Sequence, residues 1–173
     1  MLIKNIPNLL TFVNLSFGVL SIVEVFNQNY FASAMYIIIA AFLDRYDGRI
    51  ARRLNVCSEF GKELDSLADL VSFGIAPALL VYFKFNFADL GLMKLVSIVA
   101  LLIYIISGSY RLALFNIKKF DGTFSGIPIT VAGLLLSTCS VIAPSTKSSS
   151  LISVITLLAL SYLMISNIKF KKI

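Results

Sequence analysis

Four aspartates in a chain that otherwise avoids charge are the residues whose types and spacing could do chemistry. They lie in DRYDGRIARRLNVCSEFGKELDSLAD, from Asp44 to Asp69. On a helix, Asp44 and Asp47 are three apart and share a face with Gly48 and Ala51, while Asp65 and Asp69 are four apart with Gly61 one turn earlier. Carboxylates beside residues with almost no side chain suit a charged ligand that approaches the backbone closely. Buried carboxylates need countercharge, either from metal ions or from salt bridges to Arg45, Arg49, Arg52 and Arg53. The small residues on the aspartate face save space rather than neutralise charge, which favours the metal. There is no His, and Cys57 and Cys139 are far apart, so a thiol–imidazole site is excluded; both cysteines read as small buried or interfacial residues. All-oxygen ligands fit a hard cation, Mg2+ or Mn2+, with Ca2+ as the alternative. Such ions are commonly completed by substrate phosphates, which suggests a reaction at a diphosphate with Arg52 on a phosphate oxygen.

The elements that must position these residues are membrane helices. The chain is 58% hydrophobic and 14% charged, where a soluble domain carries about a quarter charged residues. Apolar runs predict about six spans, at 8–26, 30–52, 60–84, 92–115, 127–143 and 149–168, each near the ~20 residues that cross a bilayer. The connections NQN, SEF, NFADLG and PSTKSSS leave room only for hairpins. An all-α polytopic membrane protein, one domain over residues 1–173, is therefore expected. The opening MLIKNIPNLL lacks a removable leader's layout, so the first run is expected to be retained.

A net charge of +6 could signal nucleic acid, but its placement argues against that partner and for membrane lipids. Basic residues sit at the ends of apolar runs. With a cytoplasmic N-terminus, twelve face inward: Lys4, Arg45, Arg49, Arg52, Arg53, Lys62, Arg111, Lys118, Lys119, Lys169, Lys171 and Lys172. Three face outward: Lys84, Lys94 and Lys147. This bias predicts a multi-pass cell-membrane protein with both termini and the Asp44–Asp69 region on the cytoplasmic side. Thr11, Asn14 and Gly18 form a polar stripe on the first span, explicable by interhelical hydrogen bonds. The fourth span ends in Tyr110-Arg111-Leu-Ala-Leu-Phe-Asn116, and FDGTFSGIPITVAG then opens the fifth, where backbone N–H groups could meet an anion. Positive-inside anchoring accounts for Lys118, Lys119 and the final KFKK, and less well for Arg111.

The pattern Asp44-x-x-Asp47-Gly48-x-x-Ala51-Arg52, eight residues, Gly61, three residues, Asp65, three residues, Asp69 resembles the full signature of the CDP-alcohol phosphotransferase family. Eight specified residues over 26 positions make this a specific match, and the family's six-span architecture fits the whole chain. IPNLLTFVNLSFG, and RLALFN with FSGIPITVAG, further resemble the phosphatidylserine synthases of that family. The usual bacterial pattern has a second arginine where this chain has Leu114, and a second proline at Thr130 or its neighbour.

The resemblance implies that Asp44, Asp47 and Asp65 hold one or two divalent ions, with Asp69 an additional ligand and the general base. Gly48, Ala51, Arg52 and Gly61 would border the CDP-linked lipid, closed by Asn8, Thr11 and Asn14. L-Serine would be the acceptor, its carboxylate on Arg111 with Tyr110, Asn116, Ser125 and Gly126 nearby; glycerol 3-phosphate or an inositol phosphate is the alternative. Glu63 or a metal-site aspartate would meet the serine ammonium. A homodimer is also implied. A cation or proton transporter is the rival class, since intramembrane aspartates mark ion paths. It would need a path of acidic or polar groups to the far side, and apart from Glu24 and Asp89 near the outer ends the sequence offers none.

Overall fold

The computed structural model describes residues 6–53, 58–87, 92–117, 123–166 and 169–171. The expected spans appear as helices: α1 (Ile6–Phe26), α2 (Tyr30–Arg53), α3 (Glu59–Asp69) continuing into α4 (Ala76–Lys84), α5 (Leu92–Ile117), α6 (Ile129–Ile142) and α7 (Lys147–Ile165). Four stretches are long and apolar enough to cross a membrane: Pro7–Phe26, Glu59–Lys84, Met93–Ile117 and Ser148–Ile165. The other two fall short for different reasons. The last turns of α2 carry Asp44, Arg45, Asp47, Arg49, Arg52 and Arg53. α6 has 14 residues, about 21 Å of helix against roughly 30 Å of hydrocarbon.

Local chemistry accounts for the helix ends. Ser58 caps α3 by accepting from the Gly61 N–H at 3.0 Å, and Thr146 caps α7 through the Ser149 N–H. At the end of α4, Lys84 donates to the carbonyls of Ser140 and Val141, where the short α6 leaves its last carbonyls exposed.

Between α3 and α4 the helix widens into a π turn, Leu70–Ile75, directly after Asp69. A π turn adds a residue per turn, so side chains beyond it are rotated by about 100° relative to an unbroken α-helix. The widened turn is clasped on three sides. Ser72 Oγ donates to the Asn14 carbonyl of α1 at 3.2 Å, and Tyr104 Oη of α5 donates to the Phe73 carbonyl at 2.9 Å. From α6, Gly133 presses so close that a Cβ there would lie 2.7 Å from the Phe73 carbonyl oxygen. Phe73, Leu80, Tyr104, Ile129, Leu136, Leu157 and Met164 are almost fully buried around it. Ser21 and Ser33 join α1 to α2 at 2.8 Å.

One feature departs from a purely helical expectation. Thr123–Ser125 (β1) pairs antiparallel with Lys169–Lys171 (β2), Thr123 opposite Lys171 and Ser125 opposite Lys169. Gly126 follows at φ +73°, a conformation suited to glycine, with its Cα against the carbonyls that end α7. The Ile127 N–H then bonds the Leu163 carbonyl at 3.1 Å. The ribbon therefore fastens the approach to α6 onto the end of α7. Cys139, expected to be buried or interfacial, lies exposed on α6.

Candidate active site

α2 delivers Asp44 and α3 delivers Asp65 and Asp69, and the structure brings the three together across 25 residues of sequence. One carboxylate oxygen from each lies within 4.8 Å of the others. Asp69 is buried and Asp44 and Asp65 are half-buried. Like charges at this separation repel by roughly 3 kcal/mol per pair at an effective dielectric near 20. Asp65 Oδ1 is buried without a hydrogen-bond partner among the described residues. An oxygen-only cluster with a buried acceptor left open fits a hard divalent cation, which would supply countercharge and a partner together. Asp44, Asp65 and Asp69 would hold it. Asp47 stands three residues after Asp44 on α2, but its side chain lies outside the described residues, as do those of Ala51, Arg52 and Ser125. Cys57 lies outside them too.

The expected lipid-side residues converge in part. Asn8 Oδ1 of α1 lies beside Gly61 of α3, where an added Cβ would meet it at 3.3 Å. Further along the same face, Thr11 and Asn14 are buried. Thr11 Oγ1 donates back to the Pro7 carbonyl at 3.1 Å. Asn14 is wholly buried, yet neither Oδ1 nor Nδ2 finds a hydrogen bond in the described protein. A buried amide of this kind calls for a polar partner beyond the described residues. Gly48 lies exposed one turn beyond Asp44. Arg45, Arg49 and Arg53 are also exposed.

The expected acceptor residues divide. Arg111 of α5 is half-buried, and its Nε is buried without a partner among the described residues. Its charge lies within electrostatic range of Asp69. Tyr110, one residue earlier and so about 100° around the helix, is exposed. Asn116 is committed elsewhere: its Nδ2 donates to Glu63 Oε1 at 3.2 Å and Ser66 Oγ at 2.9 Å, bracing α5 against α3. Gly126 is engaged with the end of α7.

Thr130 and Ser66 were not singled out from the sequence as site residues. Thr130 Oγ1 donates to Asp44 Oδ2 at 3.4 Å across 86 residues of sequence, a separation no local pattern announces.

Comparison with known proteins agrees with this geometry. The sequence profile of the CDP-alcohol phosphatidyltransferase family matches residues 4–167. The chain is 40% identical over 166 residues to a CDP-diacylglycerol–serine O-phosphatidyltransferase of Bacillus subtilis, covering 95% of this chain and 89% of the relative. It is 35% identical to the Helicobacter pylori protein of the same name, covering 96% and 73%. An archaetidylserine synthase of Methanothermobacter thermautotrophicus is 32% identical, with 97% and 70% covered. With three of the signature aspartates gathered in space and the profile spanning nearly its whole length, this chain belongs to the CDP-alcohol phosphatidyltransferase family.

Proposed function

We propose that this protein transfers a phosphatidyl group, or its ether-lipid equivalent, from a CDP-linked lipid to the hydroxyl of L-serine, releasing CMP. The observation that carries the reading is the convergence of Asp44, Asp65 and Asp69 within 4.8 Å in a chain that matches the family from residue 4 to residue 167. A divalent cation, Mg2+ or Mn2+, bound there as one or two ions, supplies charge neutralisation on the diphosphate and on departing CMP.

The chain's own residues supply the rest. Asp44, Asp47 and Asp65 hold the metal. Asp69 shares it and takes the proton from the serine hydroxyl as its oxygen forms a bond to the lipid phosphorus. The bond from that phosphorus to the CMP oxygen breaks. Gly48, Ala51, Arg52 and Gly61 border the nucleotide, and Asn8, Thr11 and Asn14 close it from α1. The open hydrogen-bonding atoms of Asn14 support this assignment, because a phosphate oxygen could accept from Nδ2 and an amino group of a nucleotide base could donate to Oδ1. Arg111, whose buried Nε has no partner among the described residues, pairs with the serine carboxylate. Ser125 and Gly126 contribute through the backbone of the ribbon. Glu63, which accepts from Asn116, or a metal-site aspartate meets the ammonium. The site works on the cytoplasmic side, and the enzyme acts as a homodimer.

The test is CMP release from CDP-diacylglycerol by protein purified in detergent, with Mg2+ or Mn2+, across serine, glycerol 3-phosphate and inositol phosphate, with products resolved by mass. Phosphatidylserine made only in the presence of metal is the expected result. Product only from another acceptor would remove serine, and no CMP with any acceptor would sink the reaction. Asp44→Asn should lose at least about 100-fold in turnover while still inserting into the membrane. Chemical cross-linking in native membranes, with a monomer as the contrary outcome, tests the dimer.

A further inference from the structure

Thr130 has no part in the roles above. Its hydroxyl donates to Asp44 Oδ2 at 3.4 Å, from the first turn of α6 to the charged end of α2. A carboxylate that must present one oxygen to a cation gains from a donor on its other oxygen, because the ring of partners around a ligand fixes its rotation before the metal arrives.

Thr130 is itself firmly held. Its neighbour Ile129 is 1% exposed, and a Cβ added at Gly108 of α5 would lie 2.6 Å from the Ile129 Cδ1. Just before it, the Ile127 N–H is bonded to the Leu163 carbonyl, and Gly126 is locked at φ +73° against the end of α7. The first turn of α6, a helix that also packs along α2, is thus fastened to α5 and α7, which carry none of the aspartates. A hydroxyl on an anchored support can orient a carboxylate rather than drift with it.

We infer that Thr130 is a positioning residue that orients Asp44 for divalent-cation binding. This rests on the reading that Asp44 is a metal ligand. The contact sits at the long end of hydrogen-bonding distance, which places its effect at the lower end for a supporting partner of a ligand.

The test is Mn2+ binding to the full-length protein in detergent without substrate, with free Mn2+ read by electron paramagnetic resonance. Thr130→Val should weaken Mn2+ binding roughly tenfold, and Thr130→Ser should restore it to within about twofold of the starting protein. The metal-free melting temperature and the KM for CDP-diacylglycerol at saturating Mn2+ should be unchanged in both. Mn2+ affinity unaltered by Thr130→Val, or equally weakened by Thr130→Ser, would overturn the role of Thr130 alone. An unaltered protein that binds no Mn2+ saturably would overturn the metal reading and this inference with it.

Discussion

Asp69 is asked to do two things with one side chain, to share a cation and to accept a proton. Its position supports both, since it is the most buried of the three clustered aspartates and lies within electrostatic range of the Arg111 guanidinium. Asp69→Asn keeps the shape and removes the base. It should leave CDP-lipid binding within about threefold and lower kcat by at least 100-fold, an effect typical of losing a general base, roughly 10²–10⁴. Equilibrium binding of labelled CDP-diacylglycerol beside turnover would check it. Arg111→Lys keeps the charge but loses the flat, forked donor set, so the serine KM should rise roughly tenfold or more while the CDP-lipid KM stays put. Equal rises in both would move the acceptor pocket elsewhere. At this scale the aspartates were legible because helical spacing alone puts Asp65 and Asp69 on one face. Thr130 and the Asn116–Glu63–Ser66 brace were not, because each joins residues 50 or more apart in the chain.

Among the elements, the π turn decides how the site meets the core. It begins immediately after Asp69, so the helix can aim Asp65 and Asp69 at the cluster and still turn Ser72 to α1 and the Phe73 backbone to α5 and α6. Gly133 is what lets α6 lie against that backbone. Gly133→Ala forces a Cβ to 2.7 Å from the Phe73 carbonyl oxygen and 2.9 Å from its Cα. The expected cost is about 1–3 kcal/mol of stability, read as a lower melting temperature in detergent. An unchanged melting temperature would mean that α6 can shift without penalty. Nothing in LVSFGI announces a π turn: it contains no proline, and its apolar run reads equally well as plain helix. The helix pairs themselves were legible, because hydropathy marks bilayer-length runs. The shortness of α6 was not, since apolar residues continue past both of its ends.

Across the whole molecule, polarity is sorted by end. The aspartates, Arg111 and the ribbon share the end where α2 finishes and α6 starts. At the opposite end Lys84 closes α6 by donating to its last carbonyls. Among the described residues, Asp44, Asp65 and Asp69 form the one group of three acidic residues close enough to hold an ion, and it lies at the end with Arg111 and the ribbon. The ribbon extends the working end to residues far along the chain. Replacing Gly126 by Ala strains its φ of +73° and presses a Cβ onto the Met164 carbonyl, so the anchorage of α6 should loosen. Turnover should fall several-fold, and limited proteolysis should open a new cleavage between β1 and α6. The digest of an unaltered protein would argue against that anchorage.

The same pairing sets an order of events during synthesis. β1 is translated 43 residues before β2 begins, a delay of a few seconds at ribosomal rates of about 5–20 residues per second. Through that interval α2, α3 and α5 can already be in the membrane, while the strand that fastens the start of α6 has yet to be made. The nascent chain therefore carries its aspartates before it can hold them in register. Competence for transfer should arrive late and abruptly, only once the segment around residue 170 has left the ribosome.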